Sequence, residues 1–157
     1  ILLMQKDTTS FDQLDKWDAR FLEVTKLVAG WSKDPSTKVG CLFVDKDKRI
    51  ISQGFNGFPK TMEDDERLFN KEAKHRYIIH AEENALLAAT QPLKGATAYI
   101  WPLHPCPRCA AKLVQAGVAR VVANYPCEKH RLTYELDEVR RLFKECGLEF
   151  LLVNTDV

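Results

Sequence analysis

The chain has 157 residues and a mass of 18.0 kDa, the size of one domain with its own hydrophobic core. Apolar residues make up 45% and charged residues 29% of the sequence, a globular composition that excludes a disordered protein. No apolar run reaches the roughly 18 residues of a transmembrane helix, which excludes a membrane protein. The 23 Lys and Arg residues and the 22 Asp and Glu residues nearly cancel, so no strong field attracts nucleic acid.

The N-terminus and the cysteines indicate the cellular compartment. Residues 1–10 lack the basic region, apolar core and cleavage site of a secretory signal. We expect them to form a short tail ahead of a single domain over residues 11–157. Five cysteines are an odd number, and a chain of this size does not need disulfides for stability. A reduced, cytoplasmic protein is therefore expected.

Hydrophobic spacing predicts the elements of the first half of the chain. Apolar residues three and four positions apart predict an amphipathic helix over residues 11–31. Two apolar runs at residues 39–44 and 49–55 flank the charged turn 45–48 and predict a β-hairpin. Residues 60–77 are dense in both charges and predict a solvated loop with room for a helical turn.

The second half of the chain predicts an alternation of helices and strands. Helices are predicted at 78–89, 107–116 and 132–146, and strands at 96–103, 118–123 and 148–153. Because a long helix joins the last two strands, we expect these strands to be parallel. The sequence therefore predicts an α/β fold.

Two short motifs, each at the start of a predicted helix, contain the residues with catalytic chemistry. They are His80-Ala81-Glu82 and Pro105-Cys106-Pro107-Arg108-Cys109. One imidazole and two thiolates provide three zinc ligands and leave the fourth position to water, as in a catalytic site. The metal lowers the pKa of that water to about 7, and Glu82 can move its protons without binding the metal. Taken alone, the Cys-x-x-Cys pair also fits a redox pair or half of a structural zinc site.

These motifs resemble the zinc-dependent cytidine and deoxycytidylate deaminase superfamily, whose known signature is H-x-E…P-C-x-x-C. Within it the sequence is most similar to the deoxycytidylate deaminase family, through Ser32–Gly40, Gly54–Pro59 and His80–Ala85. The resemblance extends over residues 17–153. It implies a hydrolase that acts on a C–N bond and converts dCMP to dUMP in pyrimidine nucleotide metabolism.

The resemblance also implies the roles of individual residues. It makes Glu82 the catalytic proton shuttle, the Ala81 amide a contact to the pyrimidine carbonyl, and Asn56 a contact to sugar or base. Asn56 lies between glycine-containing turns, so it can instead supply only a left-handed backbone. The implied zinc ligands are His80, Cys106 and Cys109.

A monophosphate substrate needs cationic hydrogen-bond donors. The charged segment that precedes His80 offers several such donors, of which Lys60, His75 and Arg76 are the predicted phosphate contacts; the others are Arg67, Lys71 and Lys74. Neighbouring acids nearly balance these cations, so an exposed loop with surface ion pairs explains any single one of them equally well.

The resemblance implies the arrangement of the fold and its assembly. We expect a three-layer α/β/α sandwich around a five-stranded mixed sheet of order 2-1-3-4-5, counted from the strand at 39–44. A homo-oligomer is implied as well, with the helices at 78–89 and 107–116 as the candidate interface because apolar residues lie on more than one face.

Two other functions remain open. One is the same chemistry on another base, which includes cytidine, cytosine, guanine and the adenosine of a tRNA. The balanced charge counts against tRNA. The other is a zinc-binding module without catalysis, against which the carboxylate of Glu82 argues.

Overall fold

The computed structural model describes residues 8–154. Residues 1–7 of the predicted tail and residues 155–157 of the predicted domain lie outside the described residues. The strands in the described part are β1 (Thr8–Ser10), β2 (Gly40–Val44), β3 (Ile50–Phe55), β4 (Thr97–Trp101), β5 (Arg120–Asn124) and β6 (Glu149–Asn154). The helices there are α1 (Lys16–Ala29), α2 (Lys71–Tyr77), α3 (Ala81–Ala88), α4 (Pro107–Gln115), α5 (Glu128–Thr133) and α6 (Leu136–Glu145).

The strands of residues 8–154 form one mixed sheet in the order β1-β6-β5-β4-β2-β3. Strand β2 pairs antiparallel with β3 and with β4, whereas β4, β5 and β6 are parallel to one another. The predicted hairpin and the predicted parallel pairing of the last two strands are thereby confirmed. None of the helices in this part of the chain is long and apolar enough to cross a membrane.

The prediction of five strands was wrong, because the sheet of residues 8–154 has six. The order of the whole sheet also differs from the predicted order, because strand β1 is added at the edge next to β6. Thr8 of β1 pairs with Leu152 of β6, and the two strands are parallel. Three residues, Thr8 to Ser10, are too few to show the alternation that identifies a strand. Strand β1 forms by pairing with the open edge of β6, and that edge exists only in the folded chain.

Two predicted elements differ in their boundaries for local reasons. The predicted helix at 132–146 is interrupted, because Glu135 has a left-handed backbone with φ of 51° and separates α5 from α6. The predicted solvated loop contains the two-turn helix α2, whose first N–H groups are capped by Asn70; its side-chain oxygen accepts the N–H of Ala73 at 3.0 Å. Such a cap is typical of helix starts.

Helices lie on both faces of the sheet. Alternate residues of β2 point to opposite faces, so Cys41 and Phe43 pack with α3, α4 and α6, whereas Leu42 and Val44 pack with α1. All four of these β2 side chains are buried. Helices α3 and α4, which begin at the predicted metal ligands, therefore pack on the same face of the sheet.

Helix α3 lies directly on the backbone of β3 because residue 54 is glycine. A Cβ at Gly54 would lie 2.4 Å from the Ala85 nitrogen and 2.6 Å from the Ala81 oxygen, both backbone atoms of the α3 region. These distances are shorter than real Cβ contacts, so any side chain there would move α3 away from the sheet. Gly54 therefore fixes the height of the helix that begins just after His80.

Candidate metal centre and active site

Three side chains from two helix starts converge on one point. The Nδ1 atom of His80 lies 3.6 Å from Sγ of Cys106 and 3.3 Å from Sγ of Cys109. The three potential ligand atoms all lie within 4.8 Å of one another. This is the one group of its kind, with three or more His, Cys, Asp or Glu side chains, found in residues 8–154. The structure therefore brings together the three residues that the sequence analysis predicts as ligands.

The local sequence explains why these side chains meet. His80 and Cys106 both have extended backbones and both occupy the position just before the first turn of a helix, α3 and α4 respectively. Pro107 follows at the first position of α4, where its fixed φ suits the helix and its missing N–H is not needed. The Cys106 sulfur accepts the N–H of Cys109 at 3.5 Å. Each helix start thus directs its ligands towards the other.

The spacing of these atoms fits zinc. Bond lengths of about 2.3 Å to sulfur and 2.1 Å to nitrogen, at a tetrahedral angle, place nitrogen and sulfur ligands about 3.6 Å apart. The observed separations of 3.3 and 3.6 Å agree with this value. A set of one imidazole and two thiolates is also the donor chemistry that zinc prefers.

The two thiols differ in how readily they lose the proton that a metal ion must displace. Hydrogen bonds from Cys109 and from His80 outweigh the effect of burial and lower the pKa of Cys106 to about 4. The hydrogen bond to Cys106 raises the pKa of Cys109, which holds its proton more tightly. A metal ion must displace that proton, so metal binding releases protons and weakens as the pH falls.

Glu82 is buried beside this cluster. Its side chain belongs to the first turn of α3, and the residue is only 3% exposed. Burial raises the pKa of Glu82 to about 7, and the positive charge of His80 opposes this increase. A carboxyl group with such a pKa can both accept and release a proton at neutral pH. The two-residue separation from His80 places the group next to the ligand without adding it to the ligand set.

The amide of Ala81 is available to a ligand. Ala81 is the first residue of α3 and is fully buried. The first N–H groups of a helix have no carbonyl partner within the helix, and none in residues 8–154 is found for Ala81. The amide can therefore donate to a ligand at the positive end of the helix dipole.

Asn56 is a buried connector rather than an open side chain. Its amide oxygen accepts the N–H of Val39 at 2.9 Å, and its amide nitrogen donates to the carbonyl of Thr37 and to the carboxylate of Asp34. The backbone of Asn56 is not left-handed, so the purely conformational alternative is wrong. Both N–H bonds of the amide are used within the protein, and the oxygen retains a second lone pair for a ligand.

The loop that contains Asn56 lies directly beside the metal ligands. Gly57 and Ile79 exchange two backbone hydrogen bonds of 3.1 and 2.8 Å, and they form an isolated antiparallel bridge one residue before His80. This bridge holds the Asn56–Lys60 segment against the start of α3. The segment between the bridged residues therefore leaves and re-enters the fold next to His80.

The three predicted phosphate-binding residues lie on the surface of residues 58–78, the segment between the bridged residues. Lys60, His75 and Arg76 are all exposed, and no side-chain hydrogen bond or ion pair engages them within residues 8–154. Lys74 differs from these three, because its ammonium group pairs with the buried Asp34 carboxylate at 2.7 Å. Lys74 therefore supports the loop, whereas its neighbours retain free cationic or hydrogen-bonding groups.

Sequence reasoning missed Tyr134, which lies at the boundary between α5 and α6. Its ring is 5.8 Å from that of His130, and its backbone oxygen accepts the N–H of the buried His104 at 2.9 Å. Burial raises the pKa of Tyr134, and the charges of Asp34, Cys106 and Glu82 raise it further. These negative charges act on the phenol from elements that are distant in sequence. No spacing in the sequence indicates this, because α5 and α6 approach the site only in the folded chain.

Comparison with known proteins agrees with this geometry. Residues 15–125 match the model of the cytidine and deoxycytidylate deaminase zinc-binding region. This match covers more than half of the chain and includes both ligand motifs. The chain belongs to the cytidine and deoxycytidylate deaminase family.

Relatives and solved structures extend the comparison. An uncharacterized deaminase of Aliivibrio fischeri is 38% identical over 147 residues, which are 92% of this chain and 98% of the relative. Human deoxycytidylate deaminase is 32% identical over 88% of this chain and 80% of its own length. The dCMP deaminase of cyanophage S-TIM5, solved with dCMP and dUMP, superimposes with a TM-score of 0.73. It is 22% identical over 89% of this chain and 98% of its own, so it supports the fold alone.

The convergence of the three ligand atoms predicts the effect of removing a ligand. Cys106→Ala and Cys109→Ala should each abolish stoichiometric zinc binding and lower the melting temperature, because bound metal contributes to the free energy of unfolding. Elemental analysis and thermal denaturation with and without a chelator test this. Cys127→Ala is the matched control, since Cys127 is an exposed cysteine outside the cluster, and it should retain zinc. Full zinc occupancy in either ligand variant would contradict the assignment.

Proposed function

We propose that this chain catalyses the hydrolytic deamination of dCMP to dUMP, with release of ammonia, and so supplies pyrimidine nucleotide metabolism. The single observation that carries the proposal is the convergence of His80, Cys106 and Cys109 beside the buried carboxylate of Glu82. The match to relatives named deoxycytidylate deaminase supports the choice of substrate.

The proposed roles follow from the chemistry of each group. His80, Cys106 and Cys109 hold zinc, which when bound supplies Lewis-acid activation of water at neutral pH. The Ala81 amide donates to the pyrimidine carbonyl and orients the ring. Water adds to C4 of the base, and the bond from C4 to the exocyclic amine then breaks to release ammonia.

Glu82 is the group that moves protons through these steps. It accepts a proton from the attacking water and delivers it to the ring nitrogen N3. It then transfers the second proton of that water from the C4 hydroxyl group to the departing amine, which leaves the C4 carbonyl. A buried carboxyl group beside the ligands can transfer a proton in both directions. A zinc-binding module without catalysis would have no use for this carboxylate, which argues for an enzyme.

The phosphate of dCMP is proposed to contact the segment above the site. Lys60 follows the loop held by the Gly57–Ile79 bridge, and His75 and Arg76 lie in the last turn of α2, which leads back to His80. Their exposed side chains can turn towards a bound phosphate without breaking an ion pair. Asn56 is proposed to use its remaining lone pair for the sugar or the base.

The remaining parts of the proposal concern location and assembly. A cytoplasmic location suits a site whose two thiols must stay reduced. A homo-oligomer is proposed with α3 at the interface, because Leu87 is 78% exposed there. Leu113 of α4, by contrast, is fully buried in the core and offers no surface to a partner subunit.

Replacing Glu82 with Gln should separate metal binding from catalysis. The variant should keep its zinc, since Glu82 is not a ligand, and should lose about 10²- to 10⁴-fold in kcat because proton transfer is lost. Ammonia release from dCMP and zinc content, measured on the same preparation, test this. A parallel fall in zinc content would show that Glu82 has a different role.

Substrate choice should depend on the phosphate group. The unmodified protein should prefer dCMP to deoxycytidine through KM, by about 10- to 150-fold per charged contact, the equivalent of about 1.5–3 kcal/mol. Lys60→Met, Arg76→Met and His75→Ala should each be tested for loss of that preference. Lys144→Met is the matched control, because Lys144 is an exposed cation at the end of α6, outside the proposed phosphate-binding segment.

Two outcomes of this comparison would revise different parts of the proposal. Equal catalytic efficiency on dCMP and deoxycytidine would reject the monophosphate substrate and favour a nucleoside or a free base. Unchanged selectivity in all three variants would keep dCMP as substrate and reject the phosphate contacts. Cytidine, cytosine, guanine and a tRNA stem-loop should be assayed beside dCMP.

The proposed assembly predicts a mass that is a multiple of 18.0 kDa. Leu87→Lys should shift this mass towards the monomer in light scattering, because a charge would replace apolar surface at the interface. Leu27→Lys is the matched control, since Leu27 is 65% exposed on α1, the helix on the other face of the sheet. A monomeric mass of the unmodified protein at all concentrations would contradict the oligomer.

A further inference from the structure

One ion pair joins the two helices that supply the metal ligands. The ammonium group of Lys112, on α4, pairs with Oε2 of Glu83, on α3. Lys112 lies one helical turn after Cys109, so its Cα is on the same side of α4 as that ligand. The pair therefore spans the gap across which His80 meets the two cysteines.

The same carboxylate also holds the backbone of a ligand residue. Oε1 of Glu83 accepts the N–H of His80 at 3.1 Å. In this position the Glu83 side chain folds back over the start of its own helix, as in a capping box. Both oxygens of the carboxylate are thus engaged, one with the backbone of His80 and the other with Lys112 of the partner helix.

This arrangement forms a continuous connection from one ligand to the other. It begins at the His80 backbone, passes through the Glu83 carboxylate to the Lys112 ammonium group, and returns along α4 to Cys109. A change in either side chain would leave the ligands themselves intact. It would release the constraint on the distance between the start of α3 and the first turns of α4.

The exposure of the pair distinguishes this role from a contribution to folding. The Glu83 side chain is 29% exposed and that of Lys112 is 42% exposed. Pairs with this much contact with water add little to the free energy of unfolding. Metal affinity, by contrast, depends strongly on groups that orient the ligands.

We propose that Glu83 and Lys112 are positioning residues that set the spacing of His80 from Cys106 and Cys109 for the metal ion. This inference rests on the proposed zinc site and deepens it. Neither residue belongs to the ligand set of His80, Cys106 and Cys109. Their effect acts through the backbone of His80 and the position of α4.

The test measures zinc affinity by competition with a chromophoric chelator and the rate at which excess chelator removes zinc from the loaded protein. Glu83→Ala removes both contacts and should weaken zinc binding by about 10- to 100-fold. Glu83→Gln keeps an oxygen that can accept the His80 N–H, so it should recover part of that loss. Lys112→Met should resemble Glu83→Gln.

A double variant tests whether the two side chains act through each other. Glu83→Gln with Lys112→Met should weaken zinc binding no more than either single change, because one interaction is lost in all three proteins. The visible spectrum of Co²⁺-substituted protein reports ligand geometry directly. Its d–d bands should shift in Glu83→Ala and return towards the unmodified spectrum in Glu83→Gln.

The matched control is an ion pair of the same kind away from the site. Arg141 pairs with Glu138 at 2.8 Å on the exposed face of α6. Arg141→Met and Glu138→Gln should leave zinc affinity, release rate and the Co²⁺ spectrum unchanged. This comparison separates the loss of a surface charge from the loss of this particular connection.

The outcomes distinguish the inference from the function on which it rests. An unmodified protein that binds no zinc would reject the proposed function. A zinc-loaded, active protein whose Glu83→Ala and Lys112→Met variants keep its affinity, release rate and Co²⁺ spectrum would reject the positioning role alone. Weaker binding with an unshifted spectrum and an equal loss of stability in the metal-free protein would also reject it.

Discussion

The distance between two helix starts is the constraint on which this site depends. His80 precedes α3 and Cys106 precedes α4, and their ligand atoms must approach to within about 3.6 Å for one metal ion to bind both. Thiol and imidazole groups at such distances perturb each other, which is why the pKa of Cys106 falls to about 4. The sheet supplies the base for this approach, since both helices pack on the same face.

Three features adjust this distance at different levels. Gly54 allows α3 to lie on the backbone of β3, which fixes its height above the sheet. Pro107 starts α4 directly after Cys106. The Glu83–Lys112 pair then links the two helices across the site. The Glu83–Lys112 ion pair can set the spacing of the two helices only because the close contact at Gly54 already fixes the position of α3 on the sheet.

Much of this could be predicted from local sequence signals. The His80 and Cys106 motifs lie at helix starts where spacing and capping chemistry are local, and the helix-linked strands β5 and β6 are parallel as expected. Strand β1 could not be predicted, because three residues carry no period and the pairing depends on an edge formed at the other end of the chain. The break at Glu135 was missed since a left-handed glutamate has no sequence signal of the kind that glycine provides. The engagement of Asn56 with Asp34 and Val39 was missed for the same reason as Tyr134, because both depend on contacts distant in sequence.

The bridge between Gly57 and Ile79 has a consequence for how such a protein can change. It joins the two ends of residues 58–78, so this stretch is a long loop, here called the excursion, that leaves and returns to the domain at one point. Altering the length of an excursion with fixed ends costs little free energy, because closure entropy varies slowly with loop length. The excursion carries Lys60, His75 and Arg76, whereas the metal ligands and Glu82 lie outside it. The proposed phosphate contacts can therefore diverge by exchange of this loop. The proposed sugar or base contacts Asn56 and Ala81 lie outside it, together with the metal ligands and Glu82, and can change only with the sheet and its helices.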